Sequence, residues 1–226
     1  MQLDVREVSL SYGDTRVLTD ITFGLEARQH ALLLGPSGSG KSSLLNIVCG
    51  LQTPDSGSVT LGNERIFGSD DGSGDEVRRA HMGIVFQTLR LVSALNVRAN
   101  LALAQRLQLG ASDSALIDDT LERLGITHRA NARPFELSQG EAQRAAIARA
   151  LVVKPKLLIA DEPTSALDHA NTQSVAQLLI EVAQSAGASL LIATHDDRLT
   201  GYFDHTMSLA DGVLQDATAP QKEVAR

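Results

Sequence analysis

The chain of 226 residues has no tryptophan, two tyrosines and five phenylalanines. With aromatics at 3%, aliphatic side chains must fill its core. It has one cysteine, Cys49, in an apolar stretch. A single thiol excludes an intramolecular disulfide and a Cys-only metal site, and it suits a reducing compartment. No apolar run approaches the ~20 residues that span a bilayer. The start, Met1-Gln2-Leu3-Asp4, lacks a charged segment followed by an apolar core, so no secretory signal is expected. Work at a membrane would therefore need a membrane-embedded partner. Basic charge is also scarce, with 20 Lys and Arg against 27 Asp and Glu and a net charge of -7. A general nucleic-acid binder needs a basic face, so no nucleic-acid partner is expected beyond a local patch.

What is present points to a globular chain: 43% hydrophobic and 21% charged residues. Strand patterns fall at residues 3–10, where Leu3, Val5 and Val8 look half-buried, and at Val17–Leu25. Further strands are expected at Ala31–Leu34, Gly83–Phe86, Leu157–Ala160 and Leu190–Thr194, short aliphatic runs typical of a buried parallel sheet. Hairpins are expected around Gly62-Asn63 and Asp211-Gly212. Helical spacing follows at Ser42–Val48, at Leu116–Leu124, at Ala142–Val153 and along Val175–Ala186. The polar, Gly-rich residues 68–75 read as a solvated loop. The stretch from Thr88 to about Pro155 reads as a helical insert between two strands. The class implied is α/β: one domain over 1–226, with a mostly parallel sheet, an N-terminal antiparallel part and a helical subdomain over about 88–155. Leu89, Leu91, Val92, Leu95 and Val97 fit two readings equally, the core of that insert or a groove for a partner's helix.

Gly35-Pro36-Ser37-Gly38-Ser39-Gly40-Lys41-Ser42 fits the spacing of a phosphate-binding loop, with a strand before it and a helix after. Glycines let the backbone N–H groups curl around phosphates, and the following helix N-terminus favours an anion. Lys41 should reach the β- and γ-phosphates and Ser42 should ligate Mg²⁺, with Ser43 adjoining. Leu157–Ala160 delivers Asp161 at a strand end, where a carboxylate can hold Mg²⁺ directly or through water. Glu162 is placed to orient or deprotonate an attacking water. Loop and carboxylates together indicate a nucleotide-phosphate site without separating a transport ATPase from a kinase or a GTPase.

Leu137-Ser138-Gln139-Gly140-Glu141 opens the Ala142–Val153 helix with capping-box spacing between Ser138 and Glu141. A well-capped helix is one reading and an anion site at its tip is the other. Lying upstream of Asp161-Glu162, this stretch resembles the signature motif of ABC ATPases, whose usual form is Leu-Ser-Gly-Gly-Gln, with Gln139 and Glu141 as departures. The resemblance extends in order along the chain and implies roles for further residues. Tyr12 would stack on adenine, and Gln87 would touch Mg²⁺ or the lytic water. Asp168, in Ser165–Asp168, would face the dimer interface or simply cap the next helix. His195 would contact the γ-phosphate. Leu44–Leu51, Gly83–Gln87 and Ala193–Asp196 resemble the branch of lipoprotein-releasing, macrolide-exporting and cell-division subunits (LolD-like and MacB-like).

The resemblance implies a P-loop NTPase fold and ATP and Mg²⁺ as ligands. It also implies a head-to-tail homodimer in which Ser138 and Gly140 serve the opposite subunit's γ-phosphate. It further implies an integral membrane permease partner and a cytoplasmic place on the inner face of the cell membrane. A soluble repair or translation ATPase would carry coiled coils, zinc cysteines or two fused cassettes, and none is seen. A regulatory subunit of a cell-division-type complex, gated by ATP without transport, stays open.

Overall fold

Leu3 and Val5 alternate inward on β1 (Leu3–Tyr12), but Val8 and Leu10 are inward too, one residue out of phase. A bulge resolves this. Val5 pairs with Phe23 and Val8 with Ile21 of β2 (Thr15–Leu25), so β1 spends one extra residue there, with Glu7 at φ 50°. The bulge turns both halves of the strand toward one core. β4 (Ser56–Leu61) and β5 (Glu64–Phe67) complete an antiparallel sheet in the order β2-β1-β4-β5. These features belong to a computed structural model describing residues 2–68, 74–164 and 169–217.

The second sheet runs β10-β9-β3-β8-β7-β6. Its strands are β3 (His30–Leu34), β6 (Met82–Val85), β7 (Leu157–Asp161), β8 (Ser189–Thr194), β9 (His205–Ala210) and β10 (Val213–Ala217). All neighbours pair parallel except β9 with β10. Alternate residues of the central strands enter different cores. Leu33, Ile159 and Leu191 join α1 (Lys41–Val48) and the antiparallel sheet in one cluster. Leu32, Leu158 and Leu190 join the helices on the other face. Burial on both faces explains why these strands read as continuous aliphatic runs.

The helical layer comprises α3 (Val97–Leu109), α4 (Ser114–Arg123), α5 (Gln139–Leu151) and α6 (His169–Ala186). Val97 is fully buried in its core, and Leu91 packs against that core. A separate open groove is lined by Leu51, Arg78, Arg79, Met82, Phe86 and Arg149 among others. The structure departs from the sequence reading at α2 (Gly74–His81), a helix that takes in the end of the expected loop 68–75. Only Val77 is buried on it, so no apolar periodicity announces it. Arg78 ties it down instead, donating to the carbonyls of Cys49 and Gly50 at 3.3 Å each. Helix α5 also starts three residues earlier than expected, at Gln139, which makes Ser138 its N-cap.

Gly83 lets β6 meet α5. A Cβ built there would stand 2.2 Å from the Ala150 carbonyl oxygen. Gly83→Val should therefore force the two elements apart and cost about 1–3 kcal/mol. The thermal unfolding midpoint should drop by about 5 °C, measured by calorimetry. An unchanged midpoint would contradict this packing.

Candidate functional site

The parallel strands carry the site residues to one edge of the sheet. Leu34 pairs with Thr194, Asp161 with Ala193 and Val85 with Ala160. The chain leaves β3 through Gly35–Gly40, and the Gly35 N–H donates to the Thr194 carbonyl at 3.3 Å. At its two ends, Gly35 and Gly40, the loop is pressed too closely for a side chain. A Cβ on Gly35 would lie 2.3 Å from the Leu209 carbonyl oxygen, and one on Gly40 (φ 101°) would lie 2.9 Å from Leu18. Helix α1 begins at Lys41 with no side-chain cap and no acidic residue in its first turn. Its first N–H groups are thus left for an outside acceptor, the arrangement that suits an anion. Pro36, Ser37, Gly38 and Ser42 are exposed, Ser43 is half-buried, and Ser39 is buried with an Oγ that lacks a partner among the described residues.

Lys41 is 5% exposed. Its Nζ donates to the carbonyls of Gly35 (2.8 Å) and Pro36 (3.0 Å) and lies 3.4 Å from Glu162 Oε1. The other oxygen of Glu162, Oε2, accepts from Thr194 Oγ1 at 3.2 Å and stands 2.9 Å from His195 Nδ1. Glu162 itself sits at φ 46°, a conformation a residue with a Cβ adopts at a cost of about 1–3 kcal/mol. Its N–H donates to the Ala193 carbonyl at 2.8 Å, so β8 holds the strained turn in place. His195 is half-exposed, with its ring between the carboxylate and solvent.

The Ser42 hydroxyl neighbours the Asp161 carboxylate. Burial pushes the Asp161 carboxyl up from its ordinary value. The Ser42 hydroxyl opposes this, the Glu162 charge adds to it and the Lys41 charge opposes it. Asp161 Oδ1 is buried with no hydrogen-bond partner among the described residues. A buried acceptor without a donor is costly unless something cationic meets it. Hydroxyl and carboxylate oxygens are the donors Mg²⁺ takes, and it needs only one or two from protein when phosphates and water supply the rest. The Ser42–Asp161 pair fits that ion, and no group of three or more acidic, His or Cys residues competes for it among the described residues.

Other expected residues lie further out. Gln87 is exposed just beyond β6, ahead of two strained residues, Leu89 (φ 49°) and Arg90 (φ 48°). Arg149 of α5 donates to the carbonyls of Arg90 and, at 3.5 Å, Ile84, which fastens this exit to α5. Tyr12 is 54% exposed at the β1–β2 turn, and its hydroxyl pairs with the Gln52 amide at 2.9 and 2.7 Å. Ser138 and Gly140 stand at the exposed tip of α5, and no hydrogen bond or ion pair among the described residues joins them to the Lys41–Glu162 group. Nothing lies within 4 Å of a Cβ built on Gly140. Packing within the chain therefore gives no reason for a glycine that costs a helix about 1 kcal/mol relative to alanine. Asp168 and Ser165 fall outside the described residues. Two contributors were missed in the sequence. Thr194 signals itself only as a polar residue ending an aliphatic strand. Val17 lines the recess formed with Gly38, Gly40, Lys41, Ser42 and Ser43, and no local pattern marks it.

Comparison with known proteins matches residues 18–165 to the ABC transporter family. The chain is 37% identical over 226 residues to the lipoprotein-releasing system ATP-binding protein LolD of Shewanella frigidimarina (strain NCIMB 400), covering 96% of this chain and 95% of that one. It is 40% identical over 207 residues to an uncharacterized ABC transporter ATP-binding protein of Mycobacterium tuberculosis (strain ATCC 25618 / H37Rv), covering 89% and 83%. Among solved structures it resembles the dimeric post-hydrolysis state of the ATP-binding cassette MJ0796 bound to ADP and Pi (TM-score 0.83, 29% identity, 95% of this chain and 98% of that one). It also resembles cbiO1 from Clostridium perfringens, part of the ABC transporter complex cbiONQ (TM-score 0.85, 31% identity, 97% and 89%). A strand–loop–helix phosphate cradle facing a paired carboxylate, on a sheet that superimposes on these cassettes, makes the chain a member of the ABC transporter family, on the branch of its lipoprotein-releasing ATP-binding proteins.

Proposed function

We propose that the chain binds and hydrolyses ATP and that nucleotide-driven closure of two copies powers a membrane transporter or extrusion complex. The observation that carries this reading is the buried Lys41 ammonium, held between its own loop and Glu162 beside the Ser42–Asp161 pair. The unit doing this work is a single ATPase domain over 1–226 whose helical subdomain spans about 88–155.

Backbone N–H groups of Gly38–Ser43 surround the phosphates, and Lys41 turns from the Gly35 and Pro36 carbonyls to phosphate oxygens, a stronger charge-assisted contact. Its separation from Glu162 frees that carboxylate to take a proton from the attacking water. His195 and Thr194 hold the carboxylate's other oxygen, so Glu162 is aimed before substrate arrives. Ser42 and Asp161, joined by Gln87, would hold Mg²⁺, which would neutralise charge that builds on the phosphate oxygens. Tyr12 offers an exposed ring to the adenine.

One chain leaves the nucleotide open to water on its outer side. The α5 tip of a second copy, with the Ser138 hydroxyl and the Gly140 N–H, closes it head to tail. The dimeric neighbour with ADP and Pi supports this arrangement, and so does a Gly140 that packing does not require. Loss of the γ-phosphate then releases the copies. No helix among the described residues is long and apolar enough to cross a membrane. Translocation therefore belongs to an integral membrane permease, which recruits this chain to the cytoplasmic, inner face of the cell membrane. The groove lined by Leu51, Met82, Phe86 and three arginines suits a short amphipathic helix of that partner carrying an acidic side chain. Relatives named as lipoprotein-releasing support an extrusion complex over an importer.

Glu162→Gln should keep ATP binding while lowering turnover by about 10²- to 10³-fold, and it should accumulate an ATP-bound dimer in sedimentation experiments. Near-normal turnover would remove Glu162 from the base role. Lys41→Ala should weaken ATP binding by about tenfold or more in a calorimetric titration. Undiminished affinity would contradict the loop assignment.

A further inference from the structure

The helix tip assigned to the partner's γ-phosphate carries an acid of its own. Glu141 Oε2 accepts from the Ser138 N–H at 2.8 Å and from the Ser138 hydroxyl at 2.9 Å. Its other oxygen, Oε1, accepts from Arg129 Nε at 2.7 Å, with His128 Nε2 at 3.4 Å. The Arg129 guanidinium, and after it the Ser138 N–H and hydroxyl, hold the Glu141 carboxyl down at about 2, so it is ionised wherever the protein works. A hydroxyl that must donate to a phosphate is thus one hydrogen bond from a full negative charge and donates to it. Left bare, that carboxylate would repel the phosphate and compete for the Ser138 proton.

We propose that Arg129 is a positioning residue for the γ-phosphate: it cancels the charge of Glu141 and keeps that carboxylate partnered while the Ser138 hydroxyl turns outward to the phosphate. The geometry provides for the turn. Only the O–H need rotate: Glu141 then retains Arg129 Nε on one oxygen and the Ser138 N–H on the other, while Ser138 Oγ still accepts from the Glu141 N–H at 3.3 Å, so the helix stays capped. Arg129 is held by backbone outside α5. It ends the short turn Thr127–Arg129 after α4, and its N–H donates to the carbonyl of the buried Ile126 at 2.9 Å. The inference rests on the two-sided ATP reading above and adds that a charge pair within one subunit sets how tightly the other subunit's nucleotide is gripped.

The test uses the full chain carrying Glu162→Gln and reads the ATP concentration that half-assembles the dimer. Adding Arg129→Ala should raise that concentration by about tenfold, and Arg129→Gln should do the same, whereas Arg129→Lys, which keeps the charge, should stay within about threefold. Adding Glu141→Gln to Arg129→Ala should restore assembly, because the neutral amide preserves the cap without the repulsion. The Arg129→Ala defect should also shrink between about 0.05 and 0.5 M salt as the repulsion is screened. Binding of a fluorescent ATP analogue to the monomer should be unchanged. Should Arg129→Ala fail to fold, Arg129→Gln with and without Glu141→Gln gives the same comparison. Assembly at parental ATP concentrations without Arg129, or a double variant as weak as Arg129→Ala, would overturn the proposal. Weakened analogue binding would place Arg129 in the fold instead. Absence of ATP-driven assembly in the Glu162→Gln parent would take down the two-sided reading itself, and this proposal with it.

Discussion

An ammonium group 5% exposed to solvent has to be met by oxygen, and the active edge of this molecule is arranged around meeting it. Lys41 finds two carbonyls of its own loop and one carboxylate from a different strand. Those three contacts require β3, β8 and β7 to lie side by side, in register, with their ends level. They require glycine at Gly35 and Gly40, where any side chain would strike Leu209 or Leu18. They also require Glu162 to accept a strained backbone, which the Ala193 carbonyl holds in place. Removal of one partner from such a buried pair is strongly destabilising, whereas the intact pair adds little net stability. The pair is better understood as a chemical device than as a brace.

The same sheet end orders distant parts of the chain. The parallel sheet separates two cores, with α1 and the antiparallel sheet on one side and the helical layer on the other. Phosphate loop, carboxylates and His195 emerge at the sheet's end, while the Ser138 tip stands on the helical layer. Helix α5 spans between them: Ser138 caps one end, and Arg149 near the other grips the strained segment beyond Gln87. One helix thus joins the tip to the exit of β6, next to the arginine-lined groove proposed for the membrane partner.

Residues whose placement follows from local spacing were legible in the sequence. Gly35–Ser42 encodes its own curl, Asp161 ends an aliphatic run, and Ser138 and Glu141 stand at capping distance. Contacts that depend on strand order were not legible. Nothing near Lys41 in sequence names Glu162 as its partner, since their proximity comes from β8 lying between β3 and β7. Thr194 and Val17 were missed for the same reason. The α2 helix escaped notice because one buried valine makes no periodic face, and the β1 bulge because its apolar residues fall out of step. Arg129 is twelve residues from Glu141, and only the fold shows that they meet.

The central claim is that one copy's phosphate loop and another copy's α5 tip face each other across ATP. Disulfide trapping tests this most directly, because Cys49 is buried and will not interfere. One chain would carry Ser37→Cys and a second Gln139→Cys, both with Glu162→Gln, under mild oxidation. The account predicts a covalent dimer when the two chains are mixed with ATP, and none from either chain alone or without ATP. No mixed product, or Ser37→Cys chains joining to each other as readily as to Gln139→Cys chains, would contradict it.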